Sequence, residues 1–250
     1  MHSPFAMNSY QGKQILALVR DGDFAHAGEE EAIDRAMASV PQERTQRILD
    51  AGCGRGGTAA YLQSHGWGRA TGIDIEPKSI AYARETYPEV TFDCCNIHDV
   101  AAYVPGEFDV ITLFNVLYAL PDQEGALRAL ASRAKTQAGL VLFDYVDLGG
   151  YRSAPLMDAG APFLPNPPLK ADLARILEEG GWRLRSVEDL TGDYARWYEA
   201  LVAKIKAKRE GIETLGGPEA YEHVLDRYSG LLAAIQEGRL GGVVVYGDKL

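Results

Sequence analysis

Long apolar runs are missing from this chain. No stretch of about eighteen consecutive apolar residues occurs, which excludes a membrane-spanning helix on sequence grounds. The opening residues, MHSPFAMNSYQGKQ, lack the basic-then-apolar pattern of a secretory signal. Cysteine is sparse. Cys53, Cys94 and Cys95 show neither metal-ligand spacing nor a disulfide framework, so no metal site is expected. Free thiols in a cytoplasmic protein are the simplest reading. Positive charge is also in short supply. Against 35 Asp and Glu stand 25 Lys and Arg, a formal net charge of -10. A generic nucleic-acid binder needs the opposite balance. Internal repeats and low-complexity segments are absent.

What is present suits one domain over 1–250. Apolar residues make up 46% of the 250, enough for a full core. The chain is organised around Arg47 to Leu62, RILDAGCGRGGTAAYL. Ile48 and Leu49 end a short apolar run that reads as a buried strand, and Asp50 closes it. Gly52, Gly54, Gly56 and Gly57 follow, and Thr58 to Leu62 resume a helical pattern. Glycines permit positive φ in a tight turn and let a ligand come close to the backbone. The amides at the helix start face whatever polar group binds there.

Two cofactor classes use such a turn. Gly52, Gly54 and Gly57 fit the dinucleotide pattern G-x-G-x-x-G, with Asp74 where that pattern wants an acid. Asp50, Gly52, Gly54 and Gly56 also fit D-x-G-x-G-x-G. An acid at the strand end is a poor neighbour for a pyrophosphate and a good one for an ammonium.

Further strands are expected at 69–75, 90–95, 108–114, 139–146, 182–190 and 241–249. Helices are expected at 79–86, 121–135, 170–179, 193–211 and 218–237, and two more before the first strand. Alternation of strand and helix predicts an α/β fold, a doubly wound, mostly parallel seven-stranded sheet. Its core spans 47–191 and 241–250, with an N-terminal lid at 8–40 and a helical cap at 193–238. Residues 149–169 carry Pro155, Pro162, Pro165, Pro167 and Pro168 and read as a loop walling the substrate.

On these residues the chain resembles the class I S-adenosylmethionine-dependent methyltransferases, which share this Rossmann-like sheet. The resemblance implies S-adenosylmethionine as cofactor and S-adenosylhomocysteine as its product. It makes Asp50, Gly52, Cys53, Gly54 and Gly56 the first cofactor motif, and Asp74 the ribose acceptor with Ile75 beside it. Asn96 stands where the family usually places an acid on the adenine amine, and Ile97 would cover the ring. Asn115 opens the segment NVLYAL, which would border the transferred methyl group. The loop Phe24 to Gly28 stands where the phosphoethanolamine and sarcosine type of small-molecule N-methyltransferase carries Tyr-x-Ser-x-Gly over the cofactor. That implies a role for Gly28, although the tyrosine hydroxyl is absent. The acid and the histidine that phosphoethanolamine enzymes carry after the fourth strand are replaced by Asn115 and Ala119.

Methyl transfer to a small molecule, an amine nitrogen first, is therefore expected. The alternatives are a macromolecular acceptor (RNA or protein) and a cofactor-binding protein without turnover. Should the acceptor arrive protonated, His26, Tyr118 and Tyr145 are the candidate bases. Phe24, Tyr151, Phe163, Trp197, Tyr198, Tyr221 and Tyr228 supply rings that suit a small apolar or cationic acceptor. The acceptor's identity and the oligomeric state stay open.

Overall fold

Short apolar strands that alternate with helices bury both faces only when they stack between two helical layers. The computed structural model describes residues 5–250 and has this arrangement. First come α1 (Tyr10–Arg20), α2 (Glu29–Met37), β1 (Arg47–Ala51), α3 (Gly57–Ser64), β2 (Arg69–Asp74) and α4 (Pro77–Thr86). Then follow β3 (Thr91–Cys94), α5 (Val100–Tyr103), β4 (Phe108–Phe114), α6 (Gln123–Ala131) and β5 (Ala134–Asp147). A small hairpin, β6 (Met157–Asp158) and β7 (Ala161–Pro162), precedes α7 (Leu173–Glu179) and β8 (Trp182–Asp189). The cap helices α8 (Thr191–Ala207), α9 (Arg209–Gly216) and α10 (Pro218–Gln236) lead into β9 (Leu240–Lys249).

The seven-stranded sheet runs β3-β2-β1-β4-β5-β9-β8. Its first five strands are mutually parallel, and β9 runs antiparallel to both β5 and β8. Strand order turns back between β1 and β4, and ligands of open α/β sheets bind beyond the strand ends at that point. One face of the sheet packs under α1, α2, α8 and α10 through Ile15, Val19, Ile33, Phe143, Tyr194, Tyr198 and Leu231. The other packs on α6 and α7 through Leu127, Leu130, Ile176, Leu177 and Trp182. No helix among the described residues is long and apolar enough to cross a membrane. Cys53 and Cys95 are buried free thiols, and Cys94 is partly exposed.

Several elements differ from the sequence reading. The helix expected to reach 135 ends at Ala131, because Ala134 already pairs with Phe108 before an irregularity in the β4–β5 ladder. The helix expected over 193–211 breaks at Lys208. The Lys208 amine is drawn to the Leu18 carbonyl, at 2.8 Å, and to Asp21, the C-cap of α1. A new helix, α9, then turns Ile212 into the core. Residues 149–169 hold the β6–β7 hairpin, tied at Asp158 to the Met7 backbone N–H (2.9 Å).

Candidate active site

The turn after β1 is built by backbone geometry. Gly52 sits at φ +82°, and a Cβ there would lie 2.4 Å from the Val116 side chain. Only glycine meets both constraints. The Gly52 and Cys53 N–H groups donate to the Ile73 carbonyl, at 2.7 and 2.9 Å, so the turn is pinned to the end of β2. A Cβ on Gly54 would meet nothing nearer than Ala25, at 3.9 Å, which leaves that stretch of backbone open to a ligand.

Asp74 completes this end of the site. Its Oδ2 accepts the Gly54 N–H at 2.8 Å and its Oδ1 accepts the Glu76 N–H at 2.9 Å. The Lys13 ammonium lies 3.3 and 3.4 Å from the two oxygens. Asp74 is thus more than a strand-end acid, since it shapes the turn and holds α1 down.

A cavity of about 530 Å³ opens over the strand ends, beneath α1, α8 and α10. Of the residues expected from sequence, Gly52, Gly54, Asp74, Ile75, Asn96, Ile97, Asn115, Tyr118 and Tyr145 line it. Asn96 caps the short turn after β3 by accepting the His98 N–H. The turn carrying Asn115, at φ +54°, is held by Asp144 of β5. The Asp144 carboxylate accepts the N–H groups of Leu117 (2.6 Å), Tyr145 (2.7 Å) and Val116 (3.0 Å). Burial pushes its pKa up to about 7, against the pull of those donors. Asn115 Nδ2 donates to the Tyr194 hydroxyl (3.2 Å), whereas its Oδ1 is buried without a partner.

Five expected residues do not reach the cavity wall. His26 is buried among Phe24, Phe114 and Phe143. Its Nδ1 donates to the Ala27 carbonyl (3.3 Å), and its Nε2 accepts the Thr58 hydroxyl (3.1 Å). Burial, with the charge of Arg20, depresses its pKa to about 3. It packs between the segment after α1 and α3, off the cavity wall. Gly28, at φ +83°, starts α2 against the Trp197 ring. Cys53 lies under the turn, its pKa raised by burial. Gly56 backs onto Phe92 and Ala83. Asp50 is buried beside Thr112, whose hydroxyl donates to Oδ1 at 3.0 Å, and its Oδ2 has no partner. Burial, with the Asp74 charge adding, pushes the Asp50 pKa up to about 7.

The tyrosines of the cavity cannot serve as ready bases. Burial drives the Tyr118 and Tyr145 hydroxyls well above their ordinary value, and neighbouring tyrosines add to it. The Tyr145 and Tyr198 hydroxyls hydrogen-bond each other. They enter neutral-pH chemistry as protonated O–H groups that orient rather than abstract.

Sequence reasoning missed Lys13, Arg20 and Asp144. Lys13 and Arg20 look like ordinary polar positions of an amphipathic helix, and a basic residue in the last turn complements the helix dipole anyway. Asp144 lies inside an apolar strand where an acid signals burial, and that signal was available.

Comparison with known proteins adds three findings. A methyltransferase domain model matches residues 24–187, more than half of the chain. A ubiquinone biosynthesis O-methyltransferase of Chromobacterium violaceum is 34% identical over 102 residues, 39% of this chain and 43% of that protein. This chain therefore spans under half the length of that relative. Among solved structures, phosphoethanolamine N-methyltransferase 2 of Haemonchus contortus superposes with a TM-score of 0.82 over 96% of this chain and 57% of that one, at 17% identity. The [4+2]-cyclase SpnF superposes with a TM-score of 0.79 over 99% of this chain and 96% of that one, at 19% identity. At such identities the structures share a fold, and this fold hosts more than one chemistry.

Proposed function

Because the chain belongs to the methyltransferase domain family, we propose that it is an S-adenosylmethionine-dependent enzyme that methylates a small molecule held under its cap. The observation that carries this reading is the pairing of an open glycine turn with Asp74 at the next strand end, both on one cavity. The residues fit the cofactor. Asp74 presents two carboxylate oxygens that now hold Lys13, and ribose hydroxyls would replace that ammonium. The buried, unpartnered Asn115 Oδ1 suits an amino group. Asn96 and Ile97 would flank the adenine. Bound there, S-adenosylmethionine supplies a methyl group already activated by its sulfonium.

The protein's share is then to align the acceptor and exclude water. Tyr118, Tyr145, Tyr198, Phe163 and Tyr228 wall the remainder of the cavity. The enclosure under α1, α8 and α10 suits a small acceptor better than a polymer. Tyr118 and Tyr145, the tyrosine candidates on the wall, stay protonated, which favours an acceptor whose nucleophile needs no deprotonation by them. The relatives name both oxygen and nitrogen as methylated atoms. An amine nitrogen is kept as one reading of the acceptor atom.

Incubation with methyl-labelled S-adenosylmethionine and a pool of amines, phenols, carboxylic acids, RNA and protein tests the proposal. Label should appear in a low-molecular-weight product. Label in RNA or protein alone would replace the small-molecule reading, and cofactor binding without transfer to any member would leave a binding protein.

A further inference from the structure

The aromatic cap invites an apolar or cationic acceptor, yet the cavity wall also carries a cation. Arg20, at the end of α1, is 3% exposed and lines the cavity. Its Nε and Nη1 have no hydrogen-bond partner, and no carboxylate among the described residues forms an ion pair with it. A buried guanidinium left unpaired is costly, and proteins keep such a group where something pairs with it. Asp144 and Asp158, which act on the same tyrosines as Arg20, are already engaged. Asp144 holds the Asn115–Tyr118 turn, and Asp158 holds the Met7 N–H and His223.

What surrounds Arg20 is a set of hydroxyls. The guanidinium pulls the Tyr198 and Tyr228 hydroxyls back toward ordinary acidity against the upward push of burial. Those two rings stack at 6.2 Å, and Tyr228 meets Phe163 edge-on at 5.9 Å. A guanidinium fork with phenolic donors on an apolar wall is a receptor for a planar or tetrahedral oxyanion. Resting on the methyltransferase reading of the same cavity, we propose that Arg20, with Tyr198 and Tyr228, binds an anionic group of the methyl acceptor, a carboxylate or a phosphate. The acceptor end is fenced by the cap helices α8 and α10, which supply both tyrosines. The cofactor end is made by the turn, Asp74 and Asn115, on the sheet itself. An acceptor anion also removes the repulsion between Arg20 and a sulfonium in one enclosed space. A purely cationic acceptor is disfavoured for the same reason.

The test uses wild-type protein saturated with S-adenosylhomocysteine. Calorimetric titration compares benzoate with benzamide, phenyl phosphate with phenol, and N-methylglycine with its amide. At least one acid should bind about tenfold or more tightly than its uncharged counterpart. Arg20→Met should abolish that preference and keep S-adenosylhomocysteine affinity within about threefold, while Arg20→Lys retains part of the preference. Should Arg20→Met fail to fold, Arg20→Lys and Tyr228→Phe carry the test, each expected to weaken the acid selectively. Equal binding of acids and counterparts by wild type would overturn the proposal. So would an Arg20→Met loss in S-adenosylhomocysteine affinity that vanishes with an analogue lacking the amino-acid carboxylate, since Arg20 would then serve the cofactor. Failure of wild type to bind S-adenosylhomocysteine at all would instead defeat the methyltransferase reading.

Discussion

The two ends of the cavity are made in different ways. The cofactor end is assembled from strand ends and adjoining turns, each a short contiguous stretch of chain. Gly52, Gly54 and Asp74 lie within one strand-turn-helix-strand unit, where the Gly52 N–H donates to the Ile73 carbonyl and the Gly54 N–H to the Asp74 carboxylate. The end proposed for the acceptor is assembled from side chains far apart in sequence. Arg20 comes from the lid, Tyr145 from β5, Tyr198 from α8 and Tyr228 from α10. Backbone-built sites tolerate change in their surroundings, whereas side-chain-built sites are redrawn by single substitutions. The difference explains how one fold keeps its cofactor and exchanges its acceptors.

Severing the join between the two ends should have the largest effect. Asp23 fastens the segment after α1 to the turn before α3 and to α4. Its carboxylate pairs with Arg55 at 2.7 Å and accepts the Tyr87 and Tyr82 hydroxyls at 2.8 and 3.1 Å. Asp23→Ala would strand a largely buried Arg55, and a loss of about 3–5 kcal/mol in unfolding free energy is expected from urea titration. A loss under about 1 kcal/mol would mean that the lid is held by apolar packing alone.

Within the cofactor end, Asp74→Ala should weaken S-adenosylhomocysteine binding by about 1.5–3 kcal/mol, the size of hydrogen bonds to a charged group. Binding of an acid at the acceptor end should be unaffected when cofactor is saturating. An unchanged cofactor affinity would remove Asp74 from the ribose.

His26 separates a structural role from a catalytic one. Its pKa is held near 3 in the folded chain against 6.5 unfolded. Below 6.5 the unfolded chain takes up a proton that the folded chain refuses, so stability falls as pH drops from 6.5 toward 3. At pH 5 the cost is about 2 kcal/mol. Asp50 and Asp144 run the other way. With folded values near 7 against 3.8 unfolded, their contribution falls as pH rises through that window. His26→Gln should flatten the acid-side loss relative to wild type in urea titrations at pH 5 and 7.5. A wild-type pH dependence in the variant would place the titration elsewhere.

The smallest effect concerns motion. Lys13 holds α1 to Asp74. When ribose displaces it, α1 should be retained by ligand contacts instead. Hydrogen exchange in residues 8–20 should be slower with S-adenosylhomocysteine than without, while 21–28, fastened by Asp23, should change little. Uniform protection across 8–40 would describe a rigid lid.

The same contrast decides what could be read from the sequence. The sheet and its order of elements follow from alternation, and the meeting of the glycine turn with Asp74 on one cavity follows from glycine spacing and acids at strand ends, all signals within a few residues. The break at Lys208 and the end of α6 were invisible because they depend on a lysine reaching α1 and on a strand pairing early. Arg20 was missed because a basic residue in the last turn of a helix reads as a partner of the helix dipole, and only the packed structure shows its Nε and Nη1 buried without partners. The surroundings of His26 were not legible, because the three phenylalanine rings that enclose it come from Phe24, Phe114 and Phe143, two of them far along the chain.

The central claim is that the strand-end cavity is a site for S-adenosylmethionine. Calorimetric titration of the wild-type protein with S-adenosylhomocysteine and, separately, with NAD tests it most directly. Saturable binding of one S-adenosylhomocysteine per chain, with no heat of binding for NAD, is the predicted result. Binding of NAD with none of S-adenosylhomocysteine would contradict the account.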